Sequence, residues 1–348
     1  MKPGTTEAIL ELMQAGILSA ALGAAMELGL FWRLAGKPAP AAAVARSLGI
    51  PLNRCQHWLQ ILCQLGLLEP VAEGYAPTSI AREAILDGLS QSSWAFQARE
   101  ARESAWFVHD LALQIRLPVS AWQASQRMPG DYFEQMQADP GYAVDFTRKL
   151  YEIHLDLAEQ VAGMLDLQGV KRLLDLGGGS GAVSMALLRK QPGLTCVVVE
   201  AENVCRAGRE IARENKLAGR ITYLAADILK DALPGGFDML MLCDVGEFSA
   251  GFLRRIQSAL NPHGRLVIVD KFAPSRTSPP PSRLLAAFVA SMQDPAQSIH
   301  FTTLQEVQRR LQQAGFRDIS STPVPHKDNL PWNMDWSMLE AKWQASGK

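Results

Sequence analysis

The stretch Leu173–Gly181 reads LLDLGGGSG. Leu173, Leu174 and Leu176 have the apolar density of a buried strand, and Asp175 falls near that strand's carboxyl end. Gly177, Gly178, Gly179 and Gly181 follow, so the chain can turn sharply and let another molecule approach its backbone. Ala182–Arg189 (AVSMALLR) predicts a helix starting directly after the turn. Strand, glycine turn and helix N-terminus in succession make a nucleotide-type site at the carboxyl end of a parallel strand. The phosphate-loop variant needs Gly-Lys and then Ser or Thr, and no lysine follows here.

Working outward, strands and helices alternate from Val170 onward, which predicts a doubly wound α/β sheet. The second strand, TCVVVE, ends at Glu200, with Ala201 next. An acid there can accept hydrogen bonds from both hydroxyls of a ribose. ITYLAADILK is a third strand followed by Asp227 and Ile228, although Asp227 could instead cap the next turn. FDMLMLCDVGEF is a fourth strand ending at Cys243-Asp244. A helix, a turn at Asn261–Gly264 and a fifth strand, RLVIVDKF, come next. Thr302 or Thr303 caps a final helix that Gly315 ends. SMLEAKW reads as the last strand, with PWNMDW as the loop before it.

Upstream, residues 7–35 read as two apolar helices, the second ending near Gly36, and suit a dimer interface. Residues 38–86 carry a winged helix-turn-helix pattern: two helices, then two short strands with a turn at Glu73-Gly74. Its DNA-binding reading is weakened by the second helix, which offers Arg54, Gln56, His57 and Gln60 but no basic cluster. Residues 90–155 are helical and aromatic. Trp94, Phe96, Trp106, Phe107, Trp122, Tyr132, Phe133, Tyr142, Phe146 and Tyr151 suit either interdomain packing or an apolar pocket for a flat substrate. His109 and His154 lie on these helices. The chain thus divides into a winged-helix dimerisation domain at 1–100, a helical linker contributing to the pocket at 101–160, and the α/β domain at 161–348.

Composition narrows the function classes. The 348 residues carry 34 Lys and Arg against 35 Asp and Glu, so no bulk charge favours nucleic acid or an anionic membrane. No apolar run reaches the length of a membrane span, and the first residues lack the apolar core of a signal peptide. The five cysteines, Cys55, Cys63, Cys196, Cys205 and Cys243, show no paired metal spacing. No metal site is expected, and reduced thiols in a cytoplasmic protein are.

DLGGGSG after a hydrophobic strand resembles motif I of class I S-adenosylmethionine (SAM) dependent methyltransferases, whose glycines accommodate the amino-acid part of the cofactor. The order DLGGGSG, Glu200, AAD, LPGGFD and LNPHGRLVIVD is specific as an ensemble. Together with AMELGLFWRLAG and GYAPTSIAREAIL it resembles the bacterial and plant small-molecule O-methyltransferases with an N-terminal winged-helix dimerisation domain, over nearly the whole chain. YEIHLDLAEQ, DLQGVKRLLDLGGGSG and DMLMLC give a looser similarity to the bacteriochlorophyll C-20 methyltransferase type. The resemblance implies a Rossmann-like sheet and a homodimer formed through the N-terminal helices. It implies SAM held by Asp175, Gly177, Gly178, Gly179, Glu200, Ala201, Asp227, Ile228 and Cys243, with Asp227 and Ile228 flanking the adenine and S-adenosylhomocysteine (SAH) as product. It also implies a pocket-lining helix at Arg283–Pro295 and methyl transfer to a hydroxyl of a small aromatic or conjugated secondary metabolite.

One departure matters. O-methylating members usually carry a histidine just after the fourth strand, in a motif like HxWxD, which takes the acceptor's proton. Here the stretch is LCDVGEFSAGFLRR, with no histidine and a shorter loop. A general base contributes about 10²- to 10⁴-fold, so its loss needs an explanation. The acceptor can arrive ionised. Alternatively Asp244, Glu247, His154, His300 or Tyr151 can serve, with Asp244 nearest in sequence. A third explanation is that the nucleophile is a carbon of an electron-rich ring, and a fourth that SAM is bound without methyl transfer. A winged-helix DNA-binding regulator is the rival from another class.

Overall fold

The structure is a computed structural model that describes residues 4–104, 111–117, 132–273, 288, 291–292, 302–325 and 336–343. Trp106, Phe107, His109, Trp122, most of the expected 283–295 helix, His300 and Trp332 lie outside those residues. The chain forms two compact units, Met1–His109 and Asp110–Lys348. Of the segment expected as a helical linker at 101–160, residues 101–109 lie in the first unit and 110–160 in the second.

In the first unit the N-terminal segment is three helices rather than two, Thr6–Met13, Ala15–Glu27 and Leu30–Gly36. The breaks fall at Gln14 and at Gly29, whose φ of +64° favours glycine; a Cβ on Gly29 would also meet the Gln91 side chain at 2.3 Å. Helices Ala41–Leu48 and Leu52–Gln64 follow, joined through Gly49 in the left-handed region. Strands β1 (Leu68–Val71) and β2 (Gly74–Pro77) then pair antiparallel as the wing. Leu30, Phe31, Leu34, Leu59 and Leu62 are fully buried in the core. The Trp58 and Trp94 indole N–H groups donate to Ala21 O (2.9 Å) and Ile85 O (3.0 Å). Ile9, Leu10, Leu12, Met13 and Ile17 stay exposed in this chain. No single helix among the described residues is long and apolar enough to cross a membrane. The first two helices, bent by 44°, pass that test only as a pair.

The second unit begins with helices Tyr132–Ala138, Pro140–Ile153 and Leu155–Met164. Asp139 caps the second by accepting the Tyr142 N–H (2.9 Å), with Pro140 at its first position. The sheet contains β3 (Arg172–Leu176), β4 (Thr195–Glu200), β5 (Ile221–Ala225), β6 (Phe237–Cys243), β7 (Leu260–Lys271), β8 (Phe316–Pro323) and β9 (Trp336–Trp343). Their order is β5-β4-β3-β6-β7-β9-β8. The strands from β5 to β7 are parallel, and β9 is antiparallel to both β7 and β8. Strand order reverses between β3 and β6, which opens a crevice at their carboxyl ends. Helices cover both faces, so β3 buries Leu173 among Val161 and Met185, and Leu174 and Leu176 among Phe252 and Leu253.

Three local expectations change. Strand β7 starts at Leu260, so Asn261–Gly264 is an irregularity within its span, marked by a register shift and by His263 at φ +65°. Strand β8 has an exposed, polar sequence, FRDISSTP, and was not expected. Trp336 is the first residue of β9 rather than part of a loop. The final helix, Leu304–Gln313, is capped by Thr303, whose side chain accepts from Glu306 N.

Candidate active site at the carboxyl ends of the parallel strands

The crevice is a cavity of about 600 Å³, within the range of small-molecule and cofactor sites. One wall is the glycine turn. Gly177 and Gly179 take φ of +66° and +56°, conformations that L side chains rarely adopt. A Cβ on Gly177 would stand 3.1 Å from Val245, and one on Gly178 would stand 2.4 Å from the Asp175 carboxylate. A Cβ on Gly179 would meet nothing within 4 Å. The turn therefore presents bare backbone to the cavity.

Two buried acids stand behind it. Asp175 lines the cavity and is 1% exposed; its Oδ2 accepts from the Ser184 hydroxyl at 2.5 Å. Its Oδ1 has no hydrogen-bonding partner among the described residues. Burial pushes this carboxyl up to about 6, against the opposing Ser184 hydrogen bond. Glu200 ends β4, and its Oε2 accepts the Ala201 N–H at 2.8 Å. Burial pushes Glu200 up to about 7, although the Ala201 and Gly179 N–H groups and the Tyr132 hydroxyl favour its ionised form. The Tyr132 hydroxyl donates to Glu200 Oε1 at 3.4 Å.

After β5 the chain turns over the cavity. Asp227 Oδ1 accepts the Leu229 N–H (2.8 Å) and Oδ2 pairs with Lys230 (3.0 Å), so Asp227 caps its turn and lines the cavity at once. Partial burial opposes its ionisation, but these two donors outweigh it and hold the carboxyl below its ordinary value. Ile228 and Cys243 also line the cavity, and burial pushes the Cys243 thiol well up, keeping it protonated. Ala201 is not among the lining residues. It is fully buried and supplies its N–H to Glu200 from behind.

The opposite wall carries the polar groups nearest the missing histidine's place. Asp244 sits at φ +56°, a left-handed conformation that turns the chain out of β6. Its two carboxylate oxygens accept from Lys271 Nζ at 3.0 and 3.1 Å. That ammonium also lies 4.1 Å above the Trp336 ring. His154 caps the junction between helices Pro140–Ile153 and Leu155–Met164, lines the cavity, and meets the Trp336 ring edge to face at 6.2 Å. Glu247 lines the cavity while its Oε1 accepts the Ser249 N–H (2.7 Å). The Tyr151 hydroxyl is turned away to Asn215 Oδ1 (2.9 Å). Phe133, Phe146, Leu150 and Val183 supply apolar surface. Asp175, Glu200, His154, Asp244 and Glu247 are thus brought together. Lys271 and the buried Trp336 were missed by sequence reading; the signal for Lys271 was a cation closing the apolar strand RLVIVD.

The cavity can be tested against SAM directly. An unsatisfied buried oxygen on Asp175, a second buried acid at Glu200 and a wall of bare glycine backbone suit a ligand with an ammonium group, ribose hydroxyls and a cationic sulfur. The residues present fit that group.

Comparisons agree. Residues 108–317 match the O-methyltransferase domain and residues 10–85 the O-methyltransferase dimerisation domain. The chain is 34% identical to 3-hydroxy-5-methyl-1-naphthoate 3-O-methyltransferase of Streptomyces sahachiroi, over 64% of this chain and 63% of that protein. It is 26% identical to the mitomycin biosynthesis 6-O-methyltransferase of Streptomyces lavendulae, over 79% of this chain and 81% of that one. Its fold matches human N-acetylserotonin methyltransferase in complex with SAM, with a TM-score of 0.75 and 21% identity, covering 99% and 100% of the two chains. The chain belongs to the O-methyltransferase family, and it is a SAM-dependent methyltransferase.

Proposed function

We propose that this enzyme methylates a hydroxyl of a small aromatic or conjugated secondary metabolite, with SAM held by Asp175, Gly177, Gly178, Gly179, Glu200, Asp227, Ile228 and Cys243. The observation that carries the reading is one cavity combining the glycine turn, the partnerless Asp175 oxygen and an apolar wall of Phe133, Phe146 and Leu150. The relatives named above, a 3-hydroxy-5-methyl-1-naphthoate 3-O-methyltransferase and a mitomycin biosynthesis 6-O-methyltransferase, support the aromatic substrate class.

SAM supplies a methyl group on a cationic sulfur. The chain's residues supply alignment. Glu200 accepts ribose hydroxyls, Asp175 offers a negative oxygen, and the apolar wall keeps water from the transfer. Alignment of this kind is worth about 7–11 kcal/mol of barrier. Among the described residues, His154, Asp244 and Glu247 are polar groups that line the cavity and can face the acceptor. The exposed Ile9, Leu10, Leu12, Met13 and Ile17 lie in or beside the matched dimerisation segment and form the interface of a homodimer. All five cysteines are unpaired, which suits a reducing, cytoplasmic compartment.

The test is product analysis. With SAM and a panel of phenols and naphthols, the reading expects SAH release and a product heavier by one methylene, with the new methyl on oxygen by NMR. A methyl on carbon replaces O-methylation with C-methylation. SAH binding without any methylated product, or no binding, overturns the reading. Sedimentation should give twice the chain mass.

A further inference from the structure

Among the groups facing the acceptor end of the cavity, most are already engaged. Both oxygens of Asp244 are taken by Lys271, Glu247 accepts the Ser249 N–H, and Tyr151 bonds Asn215. His154 differs. It lines the cavity, and neither ring nitrogen has a hydrogen bond among the described residues. Its backbone closes one helix and opens the next at φ −89°, ψ 2°, so the helix junction, rather than a mobile loop, fixes the position of the imidazole. Trp336 packs against its ring on one side and beneath the Lys271 ammonium on the other.

We propose that His154, carried by the helical segment before the sheet, is the proton acceptor that replaces the histidine missing after β6, and that the Asp244–Lys271 pair seated on Trp336 is its positioning group. This rests on the methyl-transfer reading above. In the step, the acceptor hydroxyl gives its proton to a free imidazole nitrogen. The oxygen's electron pair forms the new O–C bond, the C–S bond breaks with its pair going to sulfur, and the imidazolium later releases its proton to water.

The charged groups acting on His154 are Asp244, Lys271 and Lys149. Burial holds the imidazole below its ordinary value. Asp244 opposes that shift, and Lys271 and Lys149 reinforce it. The ring is therefore neutral, and able to accept, at neutral pH. Asp244 is the group that steadies the imidazolium once the proton arrives.

The experiment compares wild type and His154→Gln on two acceptors, naphthol and the much more acidic para-nitrophenol, with SAH affinity measured by calorimetry. For naphthol, kcat should fall about 10²- to 10⁴-fold. For para-nitrophenol above its own pKa, the loss should shrink to less than about tenfold, because no proton remains to be taken. SAH affinity should hold within about threefold, and the acid limb of the naphthol pH profile should move in the variant from the His154 titration to the ionisation of naphthol itself. Equal losses on both acceptors would make His154 structural and overturn the proposal, as would a fully active variant. Wild-type enzyme that binds SAH but methylates no phenol overturns the methyl-transfer reading and this proposal together. Wild-type activity with His154→Gln unchanged overturns this proposal alone.

Discussion

Asp175, Gly178 and Glu200 sit at the ends of two adjacent parallel strands, and their geometry is set by backbone: a glycine turn, two amide donors and a serine. Across the cavity, His154, Asp244, Lys271 and Trp336 come from a helix junction and the ends of β6, β7 and β9. They hold one another through charge and ring contacts. The first wall is a local device that two short stretches, at the ends of β3 and β4, specify. The second exists only after the sheet has assembled. Substitutions on the first wall should act on cofactor affinity. Those on the second should tune rate and pH dependence.

The largest effect is expected from Gly178→Ala. The added Cβ would stand 2.4 Å from a carboxylate that is buried and tied to Ser184, so neither can give way cheaply. Calorimetry should show SAH affinity reduced by about 100-fold or more, equivalent to about 2.7 kcal/mol. Gly179→Ala meets no atom and pays only the left-handed backbone, about 1–2 kcal/mol. If both variants bind alike, steric fit to Asp175 is not what shapes this wall.

Glu200→Gln comes next and has two opposite signs. Burial raises Glu200 from 4.5 to about 7 in the ligand-free protein. The unfolded chain releases this proton first, so the ligand-free protein should lose stability as pH rises from about 4.5 to about 7, and stay level above. Removing the charge should therefore raise ligand-free stability at pH 8 by about 1–3 kcal/mol in urea unfolding, while lowering SAH affinity about tenfold. Reduced stability with intact affinity would mean that Glu200 is a structural acid rather than a ligand group.

The difference between the walls also explains what the sequence could and could not reveal. Asp175, Gly177–Gly179, Glu200 and Asp227 were legible because each follows an apolar strand at a fixed place in a repeating β-α pattern, and the strand order puts those places together. His154 and Asp244 could be named only as candidates, since nothing local shows that one is tied to a lysine and the other left open. Trp336 looked like loop because PWNMDW has the composition of one, yet pairing with Lys271 across β7 and β9 makes it strand. Strand β8 was missed because its side chains are mostly exposed and polar, and only its pairing with β9 defines it. The break at Gly29 was missed because the residues on both sides keep helical spacing.

On the second wall, Lys271→Met should change the rate modestly and the pH profile clearly. Lys271 holds the His154 value down, and it also neutralises Asp244, which pushes that value up. Losing the ammonium removes the first influence and strengthens the second. Both move the His154 value upward, so the acid limb of the naphthol profile should shift to higher pH, with kcat on the plateau falling about three- to tenfold. Asp244→Asn should shift the limb the other way and lower kcat about three- to tenfold, because the imidazolium loses its counter-charge. If Asp244→Asn abolishes transfer instead, Asp244 is the base and the order of roles on this wall is reversed.

The smallest expected effect tests whether the first wall is as local as its geometry implies. Tyr132 belongs to a helix before the sheet, and its hydroxyl reaches Glu200 Oε1 at 3.4 Å, the long end for an O–H donor. Burial and the Glu200 charge both keep the phenol protonated, so it is a donor at every working pH. Tyr132→Phe removes one weak donor from the ionised carboxylate while the Ala201 and Gly179 amides remain. The midpoint of the pH dependence of SAH binding should rise slightly, and affinity at pH 8 should change by less than about threefold. At that pH Glu200 is already largely ionised, so the lost hydrogen bond has little proton equilibrium left to shift. A tenfold or larger loss would mean that the Tyr132–Ala138 helix, and not the strand end, sets the Glu200 carboxylate. The cofactor wall would then depend on tertiary assembly as much as the acceptor wall does.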